Sequence, residues 1–235
     1  MTVAPFPTTR RSVILALASG DAAERTRAFD TLVACYWKPL YKYARLGFGR
    51  TREDAEDLTQ SFFARAFEKE SLGSYDAQRA SFRTFLRLLF DRFAANEWKA
   101  EQRLRRGGAA QHLDFDSAEA ELGRESAVSS PEELFQREWV RSVFTLCVDR
   151  LRAACDSEGK QKHFAVFETY DLEGDRNLSY RELAQRFDVP ETQVTNYLAA
   201  MRRRFRETVM DALREVTASE AELRAEARAL LGGHR

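Results

Sequence analysis

Apolar residues recur at intervals of three and four along most of this chain, and no run of strict alternation is long enough to build a sheet. Phe29, Leu32, Val33, Tyr36, Leu40, Tyr43 and Ala44 keep that spacing, and so do Val194, Leu198, Met201 and Phe205. Arg, Ala, Glu and Leu are plentiful, while Gly and Pro gather at a few break points. The expected fold is therefore all-α.

The break points divide the chain. A first helical domain is expected over 8–108, with Thr9 or Ser12 capping an opening helix that ends at Gly20-Asp21. Pro39 is expected to kink or divide the next helix, and Gly47 and Gly49 to end it. Thr51 and Ser81 read as N-caps of two further helices, and Gly107-Gly108 as a stop. Residues 109–130 change composition to small and acidic residues without periodicity, as a flexible linker would. Pro131 followed by Glu132 and Glu133 opens a second helical domain, 131–216. A C-terminal helical extension follows over 217–235.

Composition removes several function classes. Lys plus Arg and Asp plus Glu each number 37, so the net charge is zero and a wholly basic nucleic-acid coat is excluded, though local patches are not. The longest apolar runs, SVILALAS and VFTLCV, are too short to span a bilayer, and no secretion signal is expected. Cys35, Cys147 and Cys155 match no common zinc spacing and read as reduced, partly buried thiols of a cytoplasmic protein. No Walker loop, dinucleotide fingerprint, HExxH or GxSxG occurs, so neither catalysis nor a cofactor is expected. His112, His163 and His234 read as isolated surface residues.

Three stretches carry chemistry. The helix beginning at Glu53 places Ala55, Leu58, Phe62 and Ala66 on one side, with Phe63 beside them. Glu53, Asp54, Asp57, Gln60 and Ser61 fall on the other, which is either a solvated face or a docking face for a basic partner helix. The helix from Phe82 turns from aromatic to basic: after Trp98 come Lys99, Arg103, Arg105 and Arg106. Cations near exposed aromatics suit phosphate contact with base stacking, although a basic C-terminal end also complements a helix dipole.

The third stretch is LSYRELAQRFDVPETQVTNYLAAMRRRFRE, from Leu178. Ser179 and Glu182 make a capping box, and Asp188-Val189-Pro190 makes a turn. Val194, Leu198, Met201 and Phe205 form the inner seam of the following helix, which leaves Gln193, Thr195, Asn196 and Ala199 outward, followed by Arg202, Arg203, Arg204 and Arg206. That is the pattern of a helix-turn-helix whose second helix enters the major groove. A competing reading is a calcium loop, with Asp171, Glu173, Asp175, Asn177, Ser179 and Glu182 at the ligand positions. Arg176 stands where that loop needs glycine.

Taken together, YWKPLYKYAR, EDAEDLTQSFFARAF, SFRTFLRLLF and the helix-turn-helix stretch resemble the extracytoplasmic-function (ECF) sigma factors of bacterial RNA polymerase. FPTTR, YWKPLY, DLTQSFF, EWKAEQRLRRGG and the C-terminal extension resemble the subgroup linked to serine/threonine kinases. The resemblance implies core RNA polymerase (its clamp helices), promoter DNA and a serine/threonine kinase as partners. It implies polymerase binding by Asp54, Glu56, Asp57, Gln60 and Ser61, with Thr59 and Ser61 as phosphorylation candidates. It implies −10 contacts from Arg92, Asn96, Trp98, Lys99 and Arg103, and −35 contacts from Gln193, Thr195, Asn196, Arg202, Arg203 and Arg204. Asp91-Arg92 departs from the arginine-asparagine pair common in the family, and DSEGKQKHF from its short proline-containing turn. Without polymerase, the same helix-turn-helix would serve a stand-alone DNA-binding regulator.

Overall fold

The computed structural model describes residues 21–68, 71–76, 78–104, 130–174, 178–217 and 219–231. Among these the secondary structure is entirely helical, with no strand, as the periodicity requires. The expected opening helix near Ser12, residues 109–129 of the expected linker 109–130, and the Gly107-Gly108 stop lie outside the described residues.

Helix α1 spans Ala22–Gly47. Asp21 caps it, accepting hydrogen bonds from the amides of Ala23 and Glu24. It runs through Pro39 without interruption, so no division occurs there. Pro39 is buried, as are Cys35, Tyr36, Leu40 and Tyr41 around it. Burial on more than one side holds a segment that proline alone would destabilise by about 3 kcal/mol. Gly49, at φ +59°, makes the turn out of α1.

Helix α2 spans Arg52–Glu68 and is capped by Thr51, whose Oγ1 accepts from the Asp54 amide at 3.2 Å. A short 3-10 turn, Ser71–Ser74, leads to α3, Phe82–Leu104. Ser81 caps α3 through the Thr84 amide at 3.2 Å. Helix α4, Pro131–Ser157, opens on a reciprocal pair in which Ser130 and Glu133 each accept from the other's amide. Helix α5, Gln161–Phe167, runs into a π-turn at Glu168–Leu172. Then come α6, Tyr180–Phe187, α7, Glu191–Val216, and α8, Glu220–Leu231.

Two compact units are present. One holds the described residues up to Ser142 together with those from Leu213 onward; the other is Val143–Ala212. The division falls inside α4 and α7, so residues 131–142 and 213–216 group with the first helical block.

The first unit is built on rings. Phe62 meets Phe90 edge-on at 5.1 Å, Tyr36 meets Phe82 at 6.0 Å, and Tyr43 meets Phe135 at 6.0 Å. Leu134 and Trp139 of α4 are buried in this unit. The second unit has its own apolar core, in which Leu151, Cys155, Phe164, Leu183, Val194, Leu198 and Met201 pack together. Each large side chain fully buried there contributes about 1.5–3 kcal/mol. None of the three cysteines forms a disulfide, all are buried, and burial raises the Cys155 thiol pKa. Among the described residues no helix is long and apolar enough to cross a membrane.

Candidate polymerase and nucleic-acid interfaces

The buried face of α2 is the one its spacing calls for. Ala55, Leu58, Phe62, Phe63 and Ala66 are all inside. Asp57, Gln60 and Ser61 are exposed, and Asp54 and Glu56 are half-buried. Burial raises the Glu56 carboxyl, while the neighbouring Arg52 charge pulls it back down. The two hydroxyls of this helix have different surroundings. Thr59 is 0% exposed, and its Oγ1 donates to the Ala55 carbonyl at 2.7 Å. Ser61 lies on the open side with Asp57 and Gln60.

On α3, Arg92, Asn96 and Lys99 are exposed. With about 100° per residue they share one stripe, which the backbone position of Arg103 continues. The Arg103 side chain lies outside the described residues. Arg92 and Asn96 line a cleft of about 280 Å³ together with Phe62, Leu89 and Phe93. Trp98, 52% exposed, does not join that stripe. It lines a different cleft of about 480 Å³ with Phe48, Arg50, Asp54 and Asp91. The expected −10 set therefore splits into a basic stripe and an indole beside two carboxylates.

The helix-turn-helix stretch forms as its sequence requires. The Ser179–Glu182 capping box starts α6, with the Ser179 amide donating to Glu182 Oε2 at 2.7 Å. Hydrogen bonds from the Ser179 hydroxyl and amide hold the Glu182 carboxyl below the usual range. Asp188 takes the left-handed conformation, φ 49° and ψ 60°, and turns the chain into α7. Val194, Leu198 and Met201 are buried, and Gln193, Thr195 and Asn196 are exposed. Gln193 Oε1 accepts from the Tyr197 hydroxyl at 2.9 Å, which orients the amide.

The arginine run does not act as one group. Arg202 holds Asp171 with two hydrogen bonds, Nε to Oδ2 at 2.8 Å and Nη2 to Oδ1 at 2.9 Å. Arg204 holds Glu158 through both terminal nitrogens, one of them at 3.0 Å. These hydrogen bonds raise both arginines and hold Glu158 low, where the bond from Lys160 contributes most. Arg203 and Arg206 are exposed. At about 100° per residue Arg202 and Arg204 fall on the two shoulders of the Val194–Leu198–Met201 seam, and Arg203 falls opposite. Helical angle was the signal that could have separated them; their acidic partners, 31 and 46 residues away, carry no local signal.

The calcium-loop positions are differently employed. Asp171 sits in the π-turn and binds Arg202, and Glu182 caps α6. Positions 175–177 lie outside the described residues. Among the described residues no group of three or more His, Cys, Asp or Glu is arranged to hold a metal ion. His163 is not isolated: it is half-buried and packs on Tyr197, with ring centroids 3.7 Å apart. Burial, then the Lys160 and Arg204 charges, lower its pKa.

Sequence reasoning passed over Lys42 and Glu138. Lys42 Nζ lies 3.0 Å from Glu138 Oε2, and both side chains are 0% exposed. It is a charge contact, since Oε2 accepts no well-directed hydrogen bond. Arg141 reaches the other oxygen, Oε1, at 2.6 Å.

No known protein-family profile matches this chain, and no curated protein sequence matches it.

Proposed function

We propose that this protein is a sigma factor of the extracytoplasmic-function type, which binds core RNA polymerase in the cytoplasm and directs transcription initiation at promoters. The observation that carries this reading is the surface of α7. One side of the helix is buried through Val194, Leu198 and Met201, and the opposite side presents Asn196 and Arg203 between exposed Gln193 and Thr195. Amides and hydroxyls at that position suit base edges in a major groove, and a cation suits the adjoining phosphates. The open carboxylate and amide face of α2 supports the second half of the reading, because a sigma factor must also hold a basic helix on the polymerase. The stripe of Arg92, Asn96 and Lys99 supports contact with the melted −10 strand.

Phosphorylation by a serine/threonine kinase falls at Ser61 in this reading. Its hydroxyl is open to a kinase, whereas the Thr59 hydroxyl is enclosed and bonded to the backbone. A phosphate there adds almost two negative charges to the docking face.

The test is run-off transcription with purified core polymerase, with and without the kinase, for wild type and Asp57→Arg. Promoter-dependent transcripts that disappear with Asp57→Arg support the reading. Specific DNA binding that needs neither polymerase nor Asp57 would replace it with a stand-alone helix-turn-helix regulator.

A further inference from the structure

Gln193 and Tyr197 stand about one turn apart on α7, so their side chains meet on the helix surface. Gln193 is exposed, and Tyr197 is half-buried against the core of the second unit. Helical angle puts Gln193 at the edge of the outward side that holds Asn196 and Arg203, and Tyr197 on the shoulder beside it. The phenol is held before any ligand arrives. Its ring packs on His163 of α5, with centroids 3.7 Å apart and 31° between the planes. Its hydroxyl donates to Gln193 Oε1 at 2.9 Å. Among the described residues, Nε2 of the same amide meets no hydrogen-bond acceptor.

The two ends of an amide have opposite characters: the carbonyl accepts, and the NH2 group donates two hydrogens. A glutamine free to turn binds adenine with both ends at once, donating to N7 and accepting from N6. Here the hydroxyl of Tyr197 holds the carbonyl toward the shoulder of the helix, and the two donors remain for the groove. In a major groove guanine meets donors with two acceptors, N7 and O6. Adenine offers N7 alone and sets a donor beside it, and cytosine presents a donor.

We propose that Tyr197 sets the base preference of α7: its hydroxyl fixes Gln193 as a hydrogen-bond donor, so that Gln193 selects guanine over adenine, an inference that rests on the reading of α7 as the DNA-contacting helix. Tyr197 is a positioning residue, since it acts through Gln193. Because the amide is ordered before DNA arrives, less side-chain freedom is lost on binding.

The test is selection of duplexes from a randomised DNA pool by the full-length chain, alone and with core polymerase. It is run for wild type, Tyr197→Phe, Gln193→Ala and the double variant. The base position whose preference is lost in Gln193→Ala is the one that Gln193 reads. Wild type is expected to favour guanine over adenine there, and Tyr197→Phe to lower that ratio at least about fivefold while preferences elsewhere are kept. Phenylalanine keeps a ring on His163, so a merely structural role for Tyr197 would weaken binding to all sequences alike and shift no preference. In the Gln193→Ala background, Tyr197→Phe is expected to change no preference. An unchanged guanine-to-adenine ratio in Tyr197→Phe would overturn the proposal, as would a wild type that prefers adenine or a Gln193→Ala profile identical to wild type. The sigma-factor reading fails separately, when wild type selects its sequence without polymerase; the ratio still decides the role of Tyr197 in that case. A wild-type chain that selects nothing in either arm overturns both.

Discussion

Lys42 of α1 and Glu138 of α4 form an ion pair with no exposed surface on either side chain, 3.0 Å between Nζ and Oε2. Drying two such charges costs several kcal/mol, and their attraction repays it only while both are present. Lys42→Met is therefore expected to lower the unfolding free energy by about 3–5 kcal/mol, and Lys42→Met with Glu138→Leu to recover most of that loss. Urea denaturation of the two variants measures both. A loss under about 1 kcal/mol in Lys42→Met would show that Arg141, on the other Glu138 oxygen, compensates the charge.

Thr59 and Ser61 should respond in opposite ways to a negative charge. Thr59→Asp places a carboxylate in a fully buried site and is expected to unfold the first unit or to cost several kcal/mol. Ser61→Asp is expected to leave stability within about 0.5 kcal/mol and to tighten binding to core polymerase. Thermal melts and a polymerase affinity measurement separate the two. A stable, polymerase-binding Thr59→Asp chain would contradict the packing described for α2.

The arginines of α7 divide into Arg202 and Arg204, committed to carboxylates, and the exposed Arg203 and Arg206, which the proposed reading assigns to DNA. Arg203→Ala is expected to weaken DNA binding uniformly across sequences and to reduce the salt slope by about one unit, with the melting temperature unchanged. Asn196→Ala is expected to cost about 1–3 kcal/mol against the preferred site alone. Arg204→Ala is expected to lower the melting temperature and leave the salt slope as it is, since that side chain is committed to Glu158. Binding isotherms at several salt concentrations, with melts of the same proteins, decide the assignment.

His163 is expected to make the second unit sensitive to mild acid. Its pKa is lowered in the folded state, chiefly by burial, so the unfolded chain takes up the proton first. An unfolded state that binds more protons gains on the folded one as pH falls, so stability declines as pH drops from about 6.5 through the folded value. His163→Phe keeps a ring on Tyr197 and is expected to flatten the stability profile below about pH 6.5. Equal slopes for wild type and variant in urea titrations would remove His163 as the cause.

Much of this was legible before folding because it is local. Thr51, Ser81 and Ser179 cap helices from within three residues of the amides they serve, and Asp188 turns the chain where Val189-Pro190 follows. The exposed Gln193, Thr195 and Asn196 follow from helical angle alone. Pro39 does not divide α1, because the cost of proline in a helix is local and the burial that outweighs it is not.

The sequence by itself determined an all-helical chain, the α2 face that is buried, and a helix-turn-helix with a polar outer surface. Periodicity, capping and turn chemistry operate over a few residues, so they can be read in one dimension. The tertiary structure alone decided which charges are committed. Arg202 to Asp171, Arg204 to Glu158, Lys42 to Glu138 and Arg83 to Glu226 join residues far apart in the chain. A charged side chain looks the same in sequence whether it meets water, DNA or a buried partner. Its surroundings set the cost of drying it, and those surroundings exist only once the helices have packed.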